Sequence, residues 1–187
     1  QDVALKENRL HVFYQLKRNI FKDNWCGSEA LIRWIDPIKG MISPGKFIPL
    51  FEKNGFVIKL DLFVFENVCK NISRMIDDGI TPLRVSVNVS RSHLMHKNFL
   101  DEYFKLMENY NVPPKYIEFE LTESLVMENS EILVEIINQI HKFGCTCSID
   151  DFGSGYSSLN MLKEFDFDVI KPVSYTHLRA HETRSNL

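Results

Sequence analysis

The chain contains no run of apolar residues long enough to cross a bilayer, which excludes a membrane-spanning helix within this sequence. Neither sign of charge is in surplus. A formal net charge of -3 gives no sign of the strongly basic surface that a nucleic-acid polymer or an anionic membrane attracts. The first residues carry no secretory leader pattern. Cysteine is sparse. Cys26, Cys69, Cys145 and Cys147 include one C-x-C pair but no C-x-x-C, and the scattered histidines complete no zinc site. Reduced, mostly buried thiols and a cytoplasmic setting are therefore expected. No internal repeat is present.

What is present is the balance of an ordinary globular domain: 187 residues, 44% hydrophobic and 25% charged. Residues 10–15 (LHVFYQ) and 27–34 (GSEALIRW) read as strands, followed by a loop, DPIKGMISPGKF. Residues 57–78 have apolar positions at helical spacing and stop at Gly79. Residues 84–90 (RVSVNVS) and 116–122 (YIEFELT) alternate as strands do. Helices are expected over 99–110 and 131–143, a strand over 146–150, a short helix over 157–163 and a last strand over 168–171.

Strands alternating with helices predict a largely parallel sheet. A central strand of an open, doubly covered sheet is apolar on both faces. Here one face is apolar, as at Val85, Val87 and Val89 or Ile117, Phe119 and Leu121. The other carries polar groups, as at Asn88, Glu118 and Glu120. A barrel accounts for this: the apolar face meets outer helices, and the polar face points inward.

The inward set is Glu29, Asn88, Glu120 and Asp150, with Asp151 just beyond, each near the C-terminal end of a strand. Crowded carboxylates repel unless a cation neutralises them. Oxygen ligands without His or Cys suit Mg²⁺ or Mn²⁺. Gly153 and Gly155 let the next loop fold over whatever is bound. Arg33, on the face of Glu29, can grip a phosphate, and Lys171 can supply a positive charge or orient a water. Together these groups make an inventory for phosphate-ester hydrolysis. Plainer roles stay open: Asp150-Asp151 as a helix cap or part of a solvated turn, Arg33 as an ion-pair partner of Glu29, and Glu123 as a helix N-terminal carboxylate. Asp151-Phe152-Gly153 also occurs in protein kinases, but no glycine-rich phosphate loop or His-Arg-Asp stretch accompanies it, which excludes that reading.

Glu29-Ala30-Leu31, within EALIRW, with SPGKFIPLFEKNGFV, SVNVS, FELTES, SIDDFGSGYSSL and FDFDVIK in the same order, resembles the EAL domain family of cyclic di-GMP phosphodiesterases. The resemblance implies a modified TIM-type (β/α)8 barrel with an antiparallel first strand. It implies a two-metal site for Mg²⁺ or Mn²⁺ held by Glu29, Asn88, Glu120, Asp150 and Asp151, and substrate contacts at Gln15, Leu31 and Arg33. It also implies a catalytic Lys171 near the attacking water, and a Glu123 that fixes the loop over 151–159. The reaction implied is hydrolysis of cyclic di-GMP to linear pGpG in bacterial second-messenger signalling. The other reading is a non-catalytic cyclic di-GMP receptor. Relatives are commonly fused to sensor or GGDEF domains and often form homodimers.

The match breaks at Pro172-Val173, where the family continues with an aliphatic residue and an aspartate. The residues over 172–187 have no apolar period and read as a non-native, disordered tail. The expected domain is thus 1–171, a barrel cut after about strand six. It lacks the later glutamate that completes the metal site in the family, and such a fragment is expected to be inactive whatever its parent does. Leu16 stands where the family usually has proline, with little effect expected.

Overall fold

A hairpin opens the structure, a computed structural model that describes residues 9–19, 21–96, 98–128, 130–153 and 165–173. Strand β1, Leu10–Asn19, returns antiparallel as β2, Asn24–Asp36. The Asn19 side-chain oxygen accepts the amides of Phe21 and Lys22 and so shapes the turn between them. Both strands run further than the expected 10–15 and 27–34. The pairing slips between Lys17 and Arg18, where Gly27 and Trp25 are their partners and Cys26 is left over, a β-bulge.

The segment expected as a loop after β2 is ordered. Asp36 Oδ1 accepts the amides of Ile38 and Lys39, and Gly40 takes φ 71°. The chain then returns as β3, Gly40–Ile42, antiparallel to β2. Helix α1, Pro44–Lys53, follows and starts on a proline, whose missing N–H costs nothing in a first turn. The prolines and glycines of this stretch concealed the spacing of Phe47 and Phe51, which α1 buries.

Helix α2, Phe56–Asp77, leads to β4, Val85–Asn88, and α3, Leu100–Asn109, leads to β5, Ile117–Thr122. Helices α4, Glu123–Glu128, and α5, Ser130–Phe143, lead to β6, Thr146–Phe152, and then β7, Val169–Pro172, is added. The main strands lie in the order β1-β2-β4-β5-β6-β7, with β3 on the side of β2. From β2 onward the neighbours along this path are parallel, and β1 is antiparallel. Among the described residues the sheet is not closed, and β1 and β7 are its edges. Strand β7 continues to Pro172, one residue past Lys171, and the Val173 amide donates to the Phe152 carbonyl. The helix expected over 157–163 and the tail from 174 onward lie outside the described residues.

The core lies between the sheet and the helices. Phe119 on β5 stacks on Phe65 of α2 and meets the edge of Tyr103 of α3, with ring centroids 5.7 and 5.6 Å apart. Val85, Val87, Leu121, Cys147 and Ile149 share that side and are buried. The residue after each of these points to the opposite face, as strand geometry requires, and that face carries the polar groups. His93, given no role in the sequence, is fully enclosed. Its Nε2 lies 3.1 Å from Asp61 Oδ2 and 3.0 Å from the Tyr103 hydroxyl. Asp61 also accepts the Ser90 amide, which fixes the chain just beyond Asn88. Among the described residues no helix is long and apolar enough to cross a membrane.

Candidate active site

Strand register lines the polar residues up across the concave face. Gln15 stands opposite Glu29 in the hairpin, and Glu29 pairs with Ser86 of β4. Ser86 pairs with Glu118 and Asn88 with Glu120; Thr122 pairs with Asp150. Parallel neighbours in step bring equivalent residues of successive strands to the same height, which is how distant stretches of sequence meet. The Asn88 amide donates to Glu29 Oε1 at 3.2 Å, joining β4 to β2.

At the end of β6 the ladder to β7 slips between Ile149 and Phe152. Asp150 and Asp151 stand in that irregularity. Asp151 takes φ 55°, a left-handed conformation that Asp tolerates better than most residues, and its amide donates to Asp150 Oδ1. These two aspartates therefore belong to a strand end, not to a helix cap. Burial and the charges of Asp150, Glu123 and Glu29 push the Asp151 carboxyl above the ordinary carboxylate range. Glu123, buried at the start of α4, accepts the Gly153 amide at 3.0 Å through Oε2. The rest of the loop it was expected to hold lies outside the described residues from 154 onward.

Arg33 and Leu31 follow Glu29 on the same face of β2, opposite His11 and Phe13. Arg33 donates to the Ile32 carbonyl. Gln15 is exposed on β1.

Glu120 is almost fully enclosed, 1% exposed. Its Oε1 is shared by two ammonium groups. Lys17 Nζ lies 3.0 Å away, and Lys171, on β7, pairs with the same oxygen. Glu118 Oε1 is 3.4 Å from Lys17 and 3.6 Å from Lys171. Glu120 Oε2 is buried and has no hydrogen-bond partner among the described residues. Burial and the neighbouring Lys17 ammonium pull the Lys171 pKa down to about 8, against the opposing pull of Glu118 and Glu29.

The sequence reading missed Lys17, and it left Ser86 and Glu118 without roles. Ending β1 at Gln15 hid Lys17, although continued alternation from Gln15 through Leu16 places it on the inner face. Among the described residues no group of three or more His, Cys, Asp or Glu side chains is disposed to hold a metal ion as it stands. Asn88 holds Glu29 and the lysines hold Glu120. The donor chemistry nonetheless suits a hard cation. The candidate ligands are all oxygens, Asp151 is crowded by like charges, and one buried carboxylate oxygen is unpaired.

A family model for the EAL domain matches residues 1–181. The chain is 36% identical over 172 residues to the cyclic di-GMP phosphodiesterase PdeR of Escherichia coli K12, covering 90% of this chain and 25% of that protein. It is 33% identical over 168 residues to the bifunctional diguanylate cyclase/cyclic di-GMP phosphodiesterase MucR of Pseudomonas aeruginosa, covering 90% and 24%. A solved structure of the PaMucR phosphodiesterase, a c-di-GMP complex, superposes with a TM-score of 0.88 at 31% identity, covering 97% of this chain and 74% of that one. The chain spans about a quarter of the length of these curated relatives.

Proposed function

The chain belongs to the EAL domain family, and from that premise we propose that its site serves metal-dependent hydrolysis of cyclic di-GMP to linear pGpG. The observation that carries the reading is the convergence of polar groups on one face of neighbouring strands: Asn88 is in step with Glu120 and bonds Glu29, Asp150 lies on β6 opposite Thr122, two residues beyond Glu120, and a buried Glu120 oxygen has no hydrogen-bond partner among the described residues. Glu29, Asn88, Glu120, Asp150 and Asp151 are the groups that would hold Mg²⁺ or Mn²⁺. When bound, such ions supply a Lewis acid for the phosphoryl oxygen and lower the pKa of water.

The chain's own residues supply the rest. Arg33 offers a guanidinium to a phosphate oxygen, a geometry that suits this side chain. Gln15 and Leu31 line the same face and bound the nucleotide. Lys171 Nζ holds its proton with an affinity lowered toward neutrality, as suits a group that exchanges protons with an attacking water. Glu123 restrains the backbone at Gly153, and with it the position of Asp151.

The test uses the full-length gene product, read from the source DNA through the Lys171 codon. It is incubated with cyclic di-GMP and Mn²⁺, and the nucleotides are separated by chromatography. Linear pGpG that disappears with EDTA is the expected result. Tight binding of cyclic di-GMP without turnover would make the protein a receptor instead. Neither binding nor turnover would overturn the reading.

A further inference from the structure

We infer that Lys17 is a positioning residue for this reaction: it anchors Oε1 of Glu120 and thereby fixes Oε2 as the oxygen presented to a divalent cation. The inference rests on the proposed metal-dependent reading. An ammonium has three donors, and Lys17 Nζ finds three acceptors: Ser86 Oγ at 2.6 Å, Glu120 Oε1 at 3.0 Å and Glu118 Oε1 at 3.4 Å. Ser86 Oγ itself reaches the Ser28 carbonyl at 3.3 Å, so the anchor is tied to the backbone of β2. With Oε1 so engaged, Glu120 cannot rotate without breaking charge-assisted bonds. Its other oxygen stays buried and unpartnered, which is costly for a carboxylate unless a cation or donor arrives.

The backbone is built to deliver this lysine. The β-bulge falls between Lys17 and Arg18, and bulges re-aim side chains beside functional sites. Opposite Lys17 stands Gly27. A Cβ there would come within 3.0 Å of the Arg84 carbonyl oxygen and 4.0 Å of Lys17 Cδ. The tight contact is with the Arg84 carbonyl, so glycine lets β2 lie close to the chain entering β4, and the Lys17 stem packs beside it at ordinary contact distance.

A plain counter-charge would behave differently. Were Lys17 only neutralising Glu118 and Glu120, its removal would leave Mn²⁺ binding unchanged or tighter, because a competing cation has gone. A positioning role predicts the opposite sign. Removing a hydrogen-bonding partner that orients a metal ligand weakens metal binding by about 10- to 100-fold.

The experiment is a calorimetric titration of Mn²⁺ alone into the full-length gene product as wild type, Lys17→Met, Lys17→Arg and Ser86→Ala. Melting in EDTA is recorded beside it to show that each variant is folded. Lys17→Met is expected to lose about 10- to 100-fold in Mn²⁺ affinity, with part of it regained in Lys17→Arg. Ser86→Ala is expected to lose less, in the same direction. If Lys17→Met is folded and binds Mn²⁺ as wild type does, or more tightly, the inference falls while the metal-dependent reading stands. If Lys17→Met does not fold, Ser86→Ala decides, and unchanged affinity there overturns the inference. A wild type that binds no Mn²⁺ overturns both.

Discussion

Lys17 and Lys171 stand on strands at opposite edges of the sheet and meet at one oxygen of Glu120, on β5 between them. The sheet must curl for this to happen, so the ion cluster is direct evidence that its polar face is concave. It also divides the labour. Lys17 is held by Ser86 as well as by the carboxylates, whereas Lys171 pairs with the carboxylates of Glu118 and Glu120 and has the lowered pKa.

Lys171→Met is therefore expected to remove a proton-handling group without dismantling the nucleotide contacts. Turnover of cyclic di-GMP should fall by about 10²- to 10⁴-fold, the usual worth of general acid–base catalysis. Nucleotide binding should change far less. Steady-state kinetics and equilibrium binding on the same preparation check this, and equal losses in both would place Lys171 in binding.

Glu123→Ala should free the Gly153 amide that Oε2 now accepts. Hydrogen exchange followed by mass spectrometry is expected to show faster exchange in the peptide containing Gly153, and turnover should drop. Glu123→Gln retains an acceptor oxygen and should restore most of the protection. Unaltered exchange in Glu123→Ala would leave that carboxylate without a restraining role.

Phe119→Ala removes the ring that joins β5 to Phe65 and Tyr103 at the centre of the core. Fully buried aromatic truncations cost about 3–5 kcal/mol. The urea midpoint should fall accordingly. Because Phe119 precedes Glu120 and points the other way, the same substitution should also loosen the site.

The thiols give a prediction in pH. Burial pushes Cys69 and Cys145 up to about 12 from an ordinary value of 9.0, and raises Cys147 as well. The unfolded chain releases these protons near its ordinary value, whereas the native protein keeps them to about 12. Between those values the native state binds more protons, so its stability falls as pH rises through that window and is untouched by these groups below it. Denaturant titrations across the range check the slope, and replacing the buried cysteines with alanine should reduce it. At pH 8 the native protein should expose one rapidly reacting thiol, Cys26.

The polar face was legible in the sequence because strands alternate. Ser86, Asn88, Glu118 and Glu120 announce a side that cannot be core, and the apolar set at Val85, Val87 and Phe119 announces one that is. Strand ends were less legible. Nothing in Leu16-Lys17-Arg18 marks a stop, but nothing marks the bulge either, since it depends on how β2 pairs across the turn. Helix α1 was masked by Pro44, Gly45 and Pro49, residues that ordinarily break helices; Pro44 is tolerated because it starts the first turn, whereas Pro49 lies inside the helix, where the burial of Phe47 and Phe51 outweighs its lost backbone bond. The pairing of Lys17 with Glu120 was out of reach of any local pattern, because it requires the sheet to bend.

Lys17 and Glu120 are separated by 103 positions along the chain. A contact between them closes a loop that contains most of the molecule, and its entropic cost is recovered only once the intervening strands have docked. Contacts of such long range form late and slowly. The site is thus an assembly that exists only when folding is complete, with no partly formed precursor in any single segment. During refolding, recovery of Mn²⁺ binding should trail the recovery of helical structure, so cation affinity becomes a clock for the final step of folding.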